Sequence, residues 1–181
     1  MPEHLETPEQ VQQYLARALR TTRQFKVHPT RFGWVCRRVL TPEEQARGKG
    51  LGLGNYVVNR QTGVVTVHPS LSPQTIGERY DEAIRTGAPV QGRQVYPPTW
   101  RVHIDRTQET HDEIRYRIRV ESLTQPPTEP PSEHQLTINK HNFRHHTDSP
   151  GTHPACTRAM AWAQARNRQN GTWPQTGSVE F

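Results

Sequence analysis

The sequence predicts an α+β protein, mainly antiparallel strands with about three helices packed on them. Three observations carry this. Two stretches alternate apolar and polar residues strictly: Trp100, Val102 and Ile104 against Arg101, His103 and Asp105, then Ile114, Tyr116, Ile118 and Val120 against Arg115, Arg117, Arg119 and Glu121. Three other stretches place a start signal, a capping residue before proline or proline itself, ahead of apolar residues at helical spacing. The short apolar runs between them are bounded by Gly, Asn and Pro, as strands are.

The first helix is expected over 8–20. Thr7 can cap it, Pro8 suits the first helical position, and Gln10 completes a capping box. Val11, Leu15, Ala18 and Leu19 then form its apolar stripe. A strand follows over 32–40. Residues 41–54 read as a loop with one helical turn at 42–46, closing on Gly48, Gly50, Gly52 and Gly54. Strands over 55–59 and 64–68 form a hairpin, with Gly63 able to adopt positive φ in the turn. Ser72-Pro73 starts a second helix over 73–86, with Ile76, Tyr80, Ala83 and Ile84 as its buried face and Gly87 as its stop.

The alternating strands lie over 98–106 and 113–123, joined as an antiparallel hairpin. Residues 125–131 hold four prolines and read as an extended connector. Residues 135–139 are a candidate further strand. A third helix is expected over 154–168, ended by Gly171, and the last ten residues look loop-like. The five strands would form one sheet covered on one face by the three helices. Residues 1–92 would make a first region. Residues 93–181, with the hairpin, connector and last helix, would pack onto it.

With 181 residues the chain can form one ordinary domain or two small ones. Only 31% of residues are hydrophobic and the mean hydropathy is −0.93, so the core must be economical. Four Trp, five Tyr and four Phe supply the anchors that disordered chains lack. No apolar run approaches the roughly 18 residues of a membrane span. The first residues, Met1 to Glu6, are polar and acidic, with no basic start and no apolar stretch, so no signal peptide is expected and a cytosolic location is the default expectation. Cys36 and Cys156 make no disulfide framework and read as two reduced, buried thiols.

Three pieces resemble a known family: Phe32-Gly33-Trp34-Val35, Gly54-Asn55-Tyr56-Val57-Val58, and Thr62-Gly63 followed by a short strand and a helix. Over residues 8–87 this is similar to the YrhB-like domain, the thirty-fifth class of bacterial polymorphic-toxin immunity proteins. The resemblance implies a non-enzymatic cytoplasmic protein that neutralises a toxin encoded nearby by occluding it. It brings no catalytic residues and no cofactor. Its shared positions, Phe32, Gly33, Trp34, Gly54, Asn55, Thr62 and Gly63, are structural: a core anchor at Trp34, close backbone approaches or bulges at Gly33 and Gly54, and a hairpin turn at Thr62-Gly63. The loop between Leu40 and Gly54 is longer than in the family, and residues after 92 have no counterpart there.

Net charge is +6, and only three of the 23 basic residues are lysine. Arg115, Arg117 and Arg119 share one strand face, with Arg101 on the neighbouring strand. With Arg47 and Lys49 of the Gly-rich loop, they are the candidate partner-binding residues. Such a face suits an acidic protein surface. Its alternatives are a nucleic-acid or phosphate ligand, although no aromatic residue interleaves there for base stacking, and a simply solvated face that binds nothing.

Other chemistry fares less well. The Gly48–Gly54 stretch lacks the Gly-Lys-Ser/Thr of a phosphate loop, and a strand follows it. His141, His145, His146, His153 and Cys156 are zinc-ligand types clustered within 16 residues, but no second Cys pair completes a structural site, so the stretch reads as a polar, His-rich loop before the last helix and no metal is expected. Cys156 near a helix start, with His103, His141, Asn142 or Asp148 as helpers, would be the makings of a cysteine hydrolase.

Overall fold

The structure, a computed structural model, describes residues 5–50, 52–148 and 154–181. Met1 to His4, on which the leader reading partly rested, and His153 lie outside these. The chain divides into two compact units, Met1–Pro97 and Pro98–Phe181. The fold class is α+β, with two five-stranded antiparallel sheets. The single sheet expected from the sequence is thus corrected to two, because the strands over 100–109 and 113–122 pair with later segments instead of the earlier hairpins.

The first unit opens with α1 (Pro8–Ala18), started by the Thr7–Gln10 capping box. Its sheet is a meander of β1 (Phe25–Pro29), β2 (Gly33–Arg38), β3 (Asn55–Asn59), β4 (Val65–His68) and β5 (Arg93–Tyr96), in that spatial order. A short α2 (Pro42–Ala46) interrupts the loop after β2, and α3 (Pro73–Thr86) joins β4 to β5. Gly87 at φ 70° ends α3 in the left-handed region.

This sheet is covered on both faces. Trp34, Cys36, Val58 and Val65 pack with Val11 and Leu15 of α1. The alternate residues Val35 and Val57 pack with Ile76 and Tyr80 of α3. Two helices on opposite faces correct the expectation of one-sided cover. The physical reason is visible in β2, where Gly33, Trp34, Val35 and Cys36 are all buried. A strand buried on both faces reads as an unbroken apolar run, not an alternation.

β1 has no counterpart in the sequence reading. Phe-Lys-Val-His-Pro is half exposed and ends in proline. It is an edge strand, where proline is tolerated and apolar signal is weak. Its turn into β2 is held by α3: the Asp81 carboxylate accepts from the backbone N–H groups of Arg31 at 2.9 Å and Phe32 at 3.0 Å.

The second unit comprises β6 (Trp100–Glu109), β7 (Glu113–Ser122), β8 (Ser132–Asn139), β9 (His145–Thr147), α4 (Pro154–Asn170) and β10 (Thr176–Glu180). The spatial order is β10-β6-β7-β8-β9. The inward residues Val102, Ile104, Ile114, Tyr116, Ile118, Leu136 and Ile138 form one core with Ala155, Ala159 and Ala163 of α4. Small residues on α4 bring the helix backbone close to the sheet.

Two segments read as loops from the sequence are strands. The chain end forms β10 against β6, from Thr176↔Asp105 to Glu180↔Arg101. Thr-Gly-Ser-Val-Glu buries little, so backbone ladder bonds rather than apolar pattern hold it. The His-rich stretch likewise contributes β9, which pairs with β8. Among the described residues no helix is long and apolar enough to cross a membrane.

Candidate functional site

Three surfaces carry chemistry. In the first unit, α3 and the segment that follows it enclose a groove of about 1030 Å³. Ile76, Tyr80, Ala83 and Pro89 line it, and Glu78, Arg79, Glu82 and Arg93 bring charge to it. His68 also lines the groove. Its ring lies edge-on to Tyr80 at 6.3 Å, and its Nε2 is 2.8 Å from the Thr66 hydroxyl. Burial lowers the His68 pKa, so the imidazole is neutral at pH 7. Tyr80 anchors the other side, its hydroxyl accepting from Asn59 Nδ2 at 2.7 Å. Burial raises its pKa. No motif in the sequence points to this groove. The only available signal is an apolar helix face, and that accounts for packing alone.

The residues shared with the family pattern sit behind the groove, in the sheet and its turns. A Cβ on Gly33 would lie 2.7 Å from the Val58 carbonyl oxygen, so neither strand tolerates a side chain there. Trp34 is buried, donates from Nε1 to the Leu5 carbonyl at 2.9 Å, and carries the Arg60 guanidinium 4.5 Å over its ring. Phe32 packs at the edge of the α3-side core. Asn55 is fully buried, and its Nδ2 donates to the Pro69 and Leu71 carbonyls, both at 3.0 Å. It thereby ties the start of β3 to the chain entering α3. Asn59 Oδ1 accepts from the N–H groups of Gln61 and Thr62, both at 2.9 Å, which shapes the Thr62-Gly63 turn.

Arg47 and Lys49 are exposed on the Gly-rich loop. Neither makes an ion pair among the described residues. Their loop re-enters the sheet at Gly54, where a Cβ would lie 2.7 Å from the His68 carbonyl oxygen. The end of this loop and the groove therefore share His68. At the loop's other end, Arg38 is paired with Glu44, whose pKa is lowered first by the Thr41 backbone N–H.

The second surface is the outer face of the second sheet. Strand register puts Arg115, Arg117, Arg119 and Arg101 on it together. It also puts acids among them. Arg101 bridges Glu121 at 3.0 Å and Glu180 at 2.7 Å, and Arg119 reaches Asp105 at 3.5 Å. Arg115 lies 3.6 Å from Glu113, and Glu133 stands across from Arg119. Hydrogen bonds from Arg101 lower the Glu121 pKa most. Only Arg117 lacks an ion pair among the described residues. The cationic face read from β7 is thus a largely self-neutralised ladder, since Glu113 and Glu121 of β7 itself and acids of the neighbouring β6, β8 and β10 supply the counter-charges. Such exposed pairs each stabilise little, but they cancel the field that would draw in a polyanion.

The third surface holds the histidines. His145 and His146 are consecutive on β9 and project to opposite faces. They do not share a ligand set. Cys156 is fully buried, and burial, then the Asp148 charge, raise its thiol pKa. That opposes the activation a nucleophile needs. His103 pairs with Glu121 at 3.4 Å instead of approaching the thiol, and Asp148 accepts from the Gln135 backbone N–H at 2.9 Å. His141 lies elsewhere, against Asp112.

With this geometry in view, the protein comparisons are specific to one part of the chain. Residues 6–88 match the family model of the Immunity protein 35-like domain. The resemblance to the immunity-protein class therefore holds over α1 through α3, and the match ends one residue after the α3 cap. No curated protein and no solved structure matches the chain. β5 lies beyond the matched segment yet completes its sheet, covering the free edge of β4.

Proposed function

We propose that this protein neutralises a toxin by binding it through the first unit, with the α3 groove and the adjoining Gly-rich loop as the contact surface. The observation that carries this reading is the immunity-type match over residues 6–88, which includes most of the groove lining. The groove is concave and largely apolar, the form in which a partner's side chains gain most from desolvation. Arg47 and Lys49 make no ion pair among the described residues, and their loop ends at Gly54 against His68 of the groove, so they would steer an acidic toxin surface toward it. Inhibition follows from occlusion and requires no chemical step. The self-pairing of the arginines on the second sheet weighs against the alternative of a nucleic-acid ligand there.

The test is co-expression with the toxin encoded beside this chain, followed by affinity measurement on the purified pair. Ala83→Arg, which fills the groove, should weaken binding by at least tenfold while leaving thermal stability near wild type. Arg47→Glu with Lys49→Glu should slow association and reduce its salt dependence. Unchanged protection and affinity in both variants would refute the surface assigned here. Absence of any protection by the wild-type chain would refute the immunity reading itself.

A further inference from the structure

Among the described residues, one group of side chains has the composition and convergence of a metal site: His111, Asp112 and His141. They come from two turns of the second unit. His111 and Asp112 sit between β6 and β7, and His141 sits between β8 and β9. A single Asp112 oxygen, Oδ1, lies 2.9 Å from His111 Nδ1 and 2.8 Å from His141 Nε2. The two imidazole rings stand 5.5 Å apart, and the three donor atoms all fall within 4.8 Å of one another.

The two turns are joined independently of these side chains. The Lys140 backbone N–H donates to the Asp112 carbonyl at 2.8 Å. Lys140 Nζ donates to the Thr110 carbonyl at 2.6 Å and pairs with Glu109 at 2.7 Å. Within each turn, the Thr110 hydroxyl accepts from Glu113 N–H at 3.0 Å, and Asn139 Oδ1 accepts from His141 N–H at 3.0 Å. The backbone positions of all three donors are therefore set before any ion arrives. Only exposed side-chain torsions remain to adjust, which keeps the ordering cost of binding small.

We propose that His111, Asp112 and His141 bind a divalent transition-metal ion of the Zn²⁺ type. Two neutral imidazoles and one carboxylate are the donor set such ions prefer, and their summed charge of minus one suits a dication. Tetrahedral ligands at roughly 2.0–2.1 Å from zinc stand about 3.3 Å from one another. The Asp112 contacts need to open by only about half an ångström to reach that spacing. Two imidazole nitrogens converging on one carboxylate oxygen form an arrangement in which the ion replaces the shared hydrogen bonds. The site lies at exposed turns, so the fourth position is open to solvent.

The test is calorimetric titration of the full chain with Zn²⁺ alone, repeated with His111→Ala, Asp112→Asn, His141→Ala and, as a control, His146→Ala. One ion per chain is expected. The affinity should fall at least tenfold in each of the first three variants and stay unchanged in His146→Ala. Zn²⁺ should raise the melting temperature of the wild type and leave that of His141→Ala unmoved. These side chains are exposed, so circular dichroism of the variants should match the wild type. Absence of a Zn²⁺ heat in the wild type, or equal affinity in wild type and His141→Ala, would overturn the assignment.

Discussion

The Tyr14 hydroxyl on α1 donates to the Gly63 carbonyl at 2.6 Å, across 49 residues of chain. This bond fixes the β3–β4 turn against the first helix. Gly63 has φ 71°, and a Cβ there would lie 2.5 Å from the same hydroxyl oxygen. Gly63→Ala should therefore destabilise the first unit by about 1–2 kcal/mol from the left-handed backbone alone, with steric crowding added. Tyr14→Phe should cost about 1 kcal/mol for the lost bond. Because removing the hydroxyl also relieves the crowding, the double variant should cost less than the sum of the two. Urea denaturation of the four proteins measures that coupling, and strict additivity would contradict the contact.

Neither thiol should react in the native protein. Burial pushes the Cys36 pKa up to about 12 and raises that of Cys156. At pH 8 both are protonated and covered. Iodoacetamide should label neither until denaturant unfolds the chain, and then label both. Rapid native labelling of Cys156 would reopen the case for a reactive cysteine.

His68 should make the first unit acid-sensitive. Its folded pKa is lowered by burial, so below about pH 6.5 the unfolded chain binds a proton that the folded chain resists. Stability linked to this group is complete above its unfolded value. It is lost as pH falls from that value toward the depressed folded one. Thermal melts between pH 7.5 and 5 should show a steeper decline for wild type than for His68→Gln. Parallel slopes would show that another group governs the acid response.

Each unit should fold alone. Each has its own five-stranded sheet and its own core, and the described backbone ladders run within Met1–Pro97 or within Pro98–Phe181. Fragments 1–97 and 98–181 should both unfold cooperatively with urea. A fragment 1–92, which cuts at the boundary read from the sequence, should be less stable than 1–97 because it loses β5 and exposes the β4 edge. Equal stability of the two fragments would show that β5 adds nothing.

Local chemistry decided much of this protein in advance. The caps at Thr7 and Ser72, the stop at Gly87 and the alternation along β6 and β7 depend on near neighbours, so those elements were legible one residue at a time. The immunity-type segment was legible because its glycines, Trp34 and Asn55 serve a backbone arrangement that few other residues permit. Tertiary structure decided what depends on distant partners. It determined that the strands form two sheets, that α1 and α3 take opposite faces, that β1, β9 and β10 are strands at all, and that the arginines meet acids from neighbouring strands. An edge strand is held by backbone hydrogen bonds that every sequence offers, and a charge is neutralised by whichever residue register brings opposite it. Neither leaves a mark in the order of the residues.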